Sequence, residues 1–445
     1  MRRSVRRYLF LALFLPAAVV DRPAPWELQM LTACDAGVSS RPYITDDGRK
    51  VYFLSTCDLV GDNSDQSDEI FKWEAGSLEQ LTRNSYCQVL DLAPAPDGER
   101  LAFISNCPYR NRNPDQGAEV MIREPDGEVK VLTRSLGMFN RDLAWSGDGR
   151  YLFFTSAADP LGENPDQSSE IFLADLEAAP IALRQLTHSL APAGCEKPAP
   201  APAAVVARCN DDLPGTALPE PQRGLPVVVE GRTPGGNRDR NYELFSFGLE
   251  GEVRQLTRTA DCINGPPVIP ANGRRIAFMS NCNFSNRQEP DDRQFLYIFS
   301  GDQFRQVFPA LPFEARDLRF SRDGNSLVFS AAIATKRLNP GQNQEIFLVR
   351  LNQVVIGATG PGELPPGLLN VADFPVGGAQ TPTLSADGRG VAFATNANYR
   401  RRNDDGGFEI MLASPPAPAD DDEDAVEVEA GDTAKPGPVE EEEEE

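Results

Sequence analysis

Short apolar runs alternate with polar turns along most of the chain, and the runs recur in one fixed order. The clearest unit begins at Ser40 with SRPYITDDGRKVYFLSTC, crosses a polar loop, and continues as DEIFKWEAGSLEQLT to Thr82. The plan returns from Leu92 to Thr133 and from Leu143 to Thr187, and later units are anchored at Asn272-Gly273, Asp323-Gly324 and Asp387-Gly388. Asp-Gly or Asn-Gly between two apolar runs predicts a hairpin, because glycine accepts the positive φ such turns need. Val51 to Leu54, Leu101 to Ile104 and Ile276 to Met279 are nearly continuous apolar strands, as expected of sheets covered on both faces. In six units the third strand starts at an acid (Glu69, Glu119, Glu170, Glu243, Glu345, Glu409), and fourth strands end in Leu-Thr at Thr82, Thr133, Thr187 and Thr257.

Each unit therefore reads as four short strands. The fourth unit lacks its Asp-Gly turn and carries a Pro/Ala-rich insertion over 191–225, yet Val227 to Thr257 supplies its second, third and fourth strands. The two ends of the chain complement each other. The last unit stops after its third strand, Phe408 to Ser414, while WELQMLT (Trp26 to Thr32) supplies an unattached fourth strand at the start. Two incomplete ends that sum to one unit predict an all-β, seven-bladed β-propeller over 26–414. Its four-stranded blades are closed by an N-terminal strand in the last blade, which removes exposed edges.

Charge and the termini refine this picture. The formal net charge is −23. From Pro415 to Glu445, fourteen acids face one lysine, which places −13 of that total in the tail. The tail, 415–445, is expected to be disordered and solubilising. No basic stripe exists to displace counterions, so nucleic acid is excluded as a partner, and docking on anionic membranes is disfavoured. Four arginines within Met1 to Arg7 precede the apolar run Tyr8 to Val20. The run is short for a membrane span and suits a signal peptide over 1–20, cleaved near Ala18 to Asp21. A retained anchor is the alternative. After cleavage no further segment is apolar enough to span a bilayer.

Some repeat motifs are more specific than a generic strand pattern. Trp145-Ser146-Gly147-Asp148-Gly149, Phe320-Ser321-Arg322-Asp323-Gly324, Glu170-Ile171-Phe172 and Gln185-Leu186-Thr187 resemble the TolB-type, WD-like repeat of exported bacterial propellers. The likeness runs from about Trp26 to Ser414, without the N-terminal domain that precedes the propeller in TolB. It implies a propeller fold, a periplasmic or secreted bacterial protein, and a role in binding partners. Exported peptidases also carry the repeat, but no G-x-S-x-G elbow occurs here.

The eight cysteines follow the repeat. Cys34, Cys87 and Cys262 lie just after a fourth strand, and Cys57, Cys107 and Cys282 end a second strand. Those two positions share one face of a propeller, which predicts Cys34–Cys57, Cys87–Cys107 and Cys262–Cys282. Cys195–Cys209 remains as a fourth pair inside the insertion. Disulfides imply an oxidising compartment. A zinc site fits poorly, because C-x-x-C is absent and His188 is the only histidine, placed where a solvated loop residue is expected.

Chemistry is harder to locate. The loop between second and third strands repeats Asn-x-Asp, with Asp65, Asp115, Asp166 and Asp239 ahead of the third-strand glutamate. Such hard oxygen ligands would suit calcium. The alternative is that they hold a tight turn through their own backbone, with no cofactor. The same loops carry Tyr109, Arg110 and Arg112; Phe284 and Arg287; and Tyr399, Arg400, Arg401 and Arg402. These would grip an anionic or sugar ligand by stacking and forked hydrogen bonds, or pair with nearby loop acids. The residues point first to a non-enzymatic scaffold for a protein or glycan partner in the envelope. The alternative is a carboxylate-based hydrolase or lyase with its site at the central channel, marked by buried carboxylates of raised pKa.

Overall fold

The computed structural model describes residues 26–109, 112–135, 140–188, 216–217, 227–231, 243–247, 253–284, 290–309, 311, 313–334, 339–354 and 364–415. The segment read as a signal peptide, the acidic tail from residue 416, Arg110, Arg287, Asp239 and the Cys195–Cys209 pair lie outside the described residues. Among the described residues, no helix is long and apolar enough to cross a membrane.

The chain folds into seven antiparallel sheets in sequence order, six of them four-stranded. In the first sheet the strands run Ser39–Ile44, Lys50–Ser55, Glu69–Glu74 and Ser77–Gln80, from inside to outside. The seventh takes Ala379–Leu384, Val391–Thr395 and Glu409–Ser414 from the end of the chain, and its outer strand is Glu27–Met30 from the start. That strand pairs Glu27 with Ser414 and Met30 with Met411. Leu31 continues the ladder by donating its N–H to the Ile410 carbonyl at 2.8 Å.

Apolar residues on both sides of each second and third strand pack sheet against sheet. Phe103 and Met121 join Leu54 and Ile70 between the first and second sheets, and Phe154 and Phe172 join Ile104 and Val120 between the second and third. Phe245 meets Phe153 and Ile171, Leu244 meets Phe278 and Tyr297, and Met279 and Leu296 meet Phe329 and Phe347. Val328 and Ile346 then meet Phe393 and Met411. A further cluster sets Ala392, Ala394 and Ile410 of the seventh sheet against Val51, Phe53 and Phe71 of the first. An open row of seven sheets would have one interface fewer. The architecture is that of a seven-bladed β-propeller.

Two sheets depart from the plan for local reasons. In the fifth, the innermost strand is reduced to isolated bridges, Asn264 to Ser280 and Val268 to Ala277. Pro266 and Pro267 lie between them and have no N–H to donate to a ladder. In the fourth, Thr216–Ala217 forms the innermost strand, so part of the segment read as an insertion belongs to the sheet.

The recurring Glu and Leu-Thr motifs find their reason in a buried anchor. Thr133 Oγ1 donates to Glu119 at 2.5 Å, Ser135 N–H donates to the same carboxylate at 2.6 Å, and Val120 N–H donates to Thr133 Oγ1 at 2.9 Å. Glu69 with Thr82 and Glu170 with Thr187 repeat it. In the seventh sheet the threonine comes from the other end of the chain, as Thr32 donates to Glu409 at 2.5 Å. In these four sheets the motif ties the fourth strand to the third through a buried, hydrogen-bonded carboxylate.

Three disulfides form as expected, Cys34–Cys57, Cys87–Cys107 and Cys262–Cys282. Each staples an inter-sheet connection to the loop between second and third strands, which defines one face of the propeller; the Asp-Gly hairpins occupy the other. The bridged cysteines are 20 to 23 residues apart. Replacing both cysteines of Cys87–Cys107 by alanine is expected to lower the unfolding free energy by about 3 kcal/mol. Urea titration of the two oxidised proteins measures it, and equal midpoints would remove the bridge from any stabilising role.

Candidate functional site

The innermost strands share a register device that brings charged groups to the axis. Five of them carry a β-bulge, between Ser40 and Tyr43, Val89 and Asp91, Arg141 and Ala144, Arg316 and Arg319, and Gln380 and Thr383. The bulged residues Arg41, Asp142, Asp317 and Thr381 adopt φ of 50° to 57°. A bulge re-aims a side chain, and here it turns polar groups toward the channel in strands otherwise committed to packing.

Arg41 of the first sheet donates to Asp91 of the second at 3.0 Å. The Asp91 side chain is only 16% exposed while Arg41 keeps 51%. Burial pushes the Asp91 carboxyl above the usual range against the pull of Arg41, and the like charge of Asp142 pushes the same way. Asp142 accepts from Thr155 Oγ1 at 2.6 Å, and Asp317 accepts the Thr381 N–H at 3.1 Å. Two residues further along the strands, the Tyr43 hydroxyl lies beside the Arg319 guanidinium, so a side chain of the first sheet approaches one of the sixth. Burial, then Asp91, raises the Tyr43 pKa. Arg319 keeps water contact along the channel but is ringed by protein, and the charges of Asp317 and Asp91 act on it.

The channel therefore holds Arg41, Arg319, Tyr43, Asp91 and Asp142 close enough to share charge. Two cations can neutralise an anionic group, while a carboxyl with a raised pKa can give or accept a proton near it.

The residues singled out on the loops do not converge. Tyr109 is half-buried with its ring edge on Phe103 (5.6 Å), and Phe284 stacks on Phe304 at 4.3 Å. Tyr399 packs edge-on to Phe374 at 6.4 Å, with Arg400 over its ring at 5.1 Å. Arg400, Arg401 and Arg402 are exposed, and Arg112 donates to the Val129 carbonyl at 2.8 Å. These groups belong to the second, fifth and seventh sheets. Arg112 and Asp115 do share a cleft of about 830 Å³ with Lys130, Arg134, Ile181 and Leu183, at the outer edges of the second and third sheets.

The Asn-x-Asp loops are braced internally. Asn63 donates its amide to the carbonyls of Cys57 (3.3 Å) and Ser67 (3.0 Å), and Asn113, Asn164, Asn339 and Asn403 repeat the bracing. Asp65 and Asp166 accept from Ser67 and Ser168 Oγ at 3.1 Å. These bonds account for the recurrence of the motif. Among the described residues, no three His, Cys, Asp or Glu side chains come together as a metal site.

The channel set escaped the sequence reading, though a signal existed. Arg41, Asp91, Asp142, Pro266, Asp317 and Thr381 each lie seven residues before the glycine of their hairpin. Four of the six are charged where a strand lining a packed core would be apolar.

No protein-family model matches the chain, and no curated protein matches it in sequence. Solved structures do. The oligogalacturonate lyase of Vibrio parahaemolyticus aligns over 88% of this chain and 97% of its own, with a TM-score of 0.57 and 13% identity. The β-propeller domain of the Trilobed protease from Pyrococcus furiosus aligns over 86% and 94%, with a TM-score of 0.53 and 12% identity. The acylaminoacyl peptidase of Pyrococcus horikoshii matches 83% of this chain and 51% of its own, at 0.50 and 12%. Structures of TolB also match, more loosely, with TM-scores of 0.37 and 0.41. At such identities the likeness shows the fold: a β-propeller. The expectation that this chain is not an enzyme is corrected by these matches. Enzymes share its fold, one of them along nearly its whole length, so the fold supplies no ground for excluding catalysis.

Proposed function

We propose that the protein is exported and acts at its central channel as a carboxylate-based hydrolase or lyase on an anionic oligosaccharide. One observation carries the reading: the buried carboxyl of Asp91, its pKa raised, lies between Arg41 and the like-charged Asp142, beside the Tyr43–Arg319 pair. Arg41 and Arg319 stand close together in a chain of net charge −23, which suits an acidic substrate. Arg41 and Arg319 bind and neutralise a uronate-type carboxylate, and Asp91 moves a proton at the adjacent carbon or glycosidic oxygen. The lyase of the same fold is named for oligogalacturonate, which makes acidic oligosaccharides the first panel to try. Three disulfides support an oxidising, extracytoplasmic setting.

The test is turnover of that panel, read as unsaturated product and new reducing ends. Asp91→Asn is expected to lower kcat by about 10²- to 10⁴-fold, with the fold intact by circular dichroism. Absence of both turnover and binding across the panel would sink the reading.

A second reading, docking of a protein partner on the disulfide face, rests on a separate observation. Among the described residues, the exposed large apolar side chains Val38, Val60, Tyr86, Leu161, Ile263 and Val376 all lie in loops of that face. Tyr86→Ser with Ile263→Ser should then abolish capture of a partner from envelope extract without altering turnover.

A further inference from the structure

Among the described residues, one side chain crosses the hairpin end of the channel. In the described hairpins between first and second strands, the residues before Asp-Gly or Asn-Gly read Asp46, Pro96, Gly147, Ala271, Arg322 and Ala386. Four are small or cyclic, and the two long ones find each other. Arg322 of the sixth sheet is ion-paired through Nη1 with Asp46 of the first, and donates from Nη2 to the Gly147 carbonyl of the third at 2.7 Å. The sixth and third sheets are not neighbours in either direction around the ring. A guanidinium that touches the first and third sheets from the sixth must therefore lie across the axis. Glycine at 147 leaves its carbonyl open to that approach, and the Ala386 N–H donates to the Asp46 carbonyl at 2.9 Å, which holds the acceptor hairpin against the seventh sheet. Arg322 and Asp46 each keep about a third of their side-chain surface in water, 36% and 35%. The pair sits at a wet mouth and not in the core.

We infer that Arg322 is a positioning residue that closes the hairpin end of the channel, making it a one-ended pocket whose ligand enters from the disulfide face and is held by its end. The inference rests on the channel being the binding site, and it adds direction and a floor. Three residues before the pin, Arg319 meets Tyr43, so the floor and the proposed acid–base level are carried by one strand and its hairpin. A chain ligand entering from the disulfide face passes Arg41 and Asp91 first, reaches Tyr43 and Arg319, and is stopped at Arg322. Such a pocket engages only the terminal units of an acidic oligosaccharide. Affinity should rise with chain length until the pocket is filled and then stop. With the pin gone, a longer chain can pass through, and affinity should continue to rise.

Two measurements on the full, oxidised chain test this. The first is a charge swap read by thermal unfolding. Arg322→Glu and Asp46→Arg should each lower the melting temperature by a few degrees, and the double variant should recover most of the loss. Losses that simply add would show that the pair does not bridge the axis, and the pin would be overturned. The second is calorimetric titration with a length series of galacturonate oligomers. In the parent, the long-to-short affinity ratio is expected to level off; in Arg322→Ala it should grow severalfold. The same plateau in both proteins would overturn the one-ended pocket. If no oligomer binds the parent at all, the channel reading itself falls, and the charge swap still decides whether Arg322 spans the axis.

Discussion

A chain beginning at Ala33, without Glu27–Met30 and Thr32, is expected to lose more than about 5 kcal/mol, an amount comparable to the whole stability of an ordinary domain. Four losses coincide. The seventh sheet loses its outer strand, paired from Glu27–Ser414 to Met30–Met411, and exposes the edge of Glu409–Ser414. Leu31, only 7% exposed, leaves the cluster that joins the seventh sheet to the first. Thr32 no longer donates to Glu409 at 2.5 Å, so a fully buried carboxylate keeps only what Cys34 N–H gives it at 2.9 Å. Ile410 N–H, which donates to Thr32 Oγ1 at 2.8 Å, loses its acceptor as well. Stranding buried polar groups costs about 1–3 kcal/mol each, and more for a charged one. The readouts are urea unfolding, and size-exclusion chromatography to catch chains that pair through the bared edge. Leu28→Pro with Met30→Pro, which keeps the chain length, should reproduce most of the effect. A truncated chain with an unchanged midpoint and no self-association would mean that the first strand does not hold the ring together.

This closure was legible because it follows from the repeat alone: a unit short of one strand at one terminus and an orphan strand at the other can be matched without coordinates. The three disulfides were legible for the same reason. Cys87 and Cys107 occupy fixed positions in a unit whose faces are known once its strands are ordered. The channel was not. Tyr43 and Arg319, or Arg322 and Asp46, sit in repeats that are not adjacent, 276 residues apart in both cases, and meet only because the ring returns them to one axis. Nor does a strand pattern reveal a bulge at Arg41 or Asp142, which decides whether a charge faces a neighbouring sheet or the channel. The loop aromatics misled for the opposite reason. Tyr109 and Phe284 sit in polar loops in sequence, yet fold back on Phe103 and Phe304.

The same anchor logic predicts how stability depends on pH. In the sixth sheet Phe347 pairs with Asn370 as Phe71 pairs with Gln80 in the first, so Asn370-Val371-Ala372 matches Gln80-Leu81-Thr82 and Ala372 stands in the threonine's place. Glu345 is fully buried, accepts from Phe374 N–H at 3.0 Å and Asn343 Nδ2 at 2.8 Å through one oxygen, and has no hydrogen bond to the other. Burial pushes its pKa up to about 8 from an ordinary 4.5, and the nearby Asp373 adds to the rise. Burial raises Glu69, Glu119 and Glu409 too, but their threonine hydroxyls oppose the shift. A carboxyl whose folded pKa is raised binds its proton more tightly in the folded chain than in the unfolded one. Its contribution is full below the unfolded value and is lost as pH climbs through the folded one. Unfolding free energy should therefore fall between about pH 4.5 and 8, with Glu345 contributing a slope of at most about 1.4 kcal/mol per pH unit. The acidic tail adds nothing to this slope if it titrates alike in both states. Glu345→Gln should flatten the decline. Ala372→Thr, which returns a donor to the bare oxygen, should lower the Glu345 pKa and raise stability most at pH 8. Urea midpoints across that range measure all three proteins. An Glu345→Gln chain that declines as steeply as the parent would place the titrating group elsewhere.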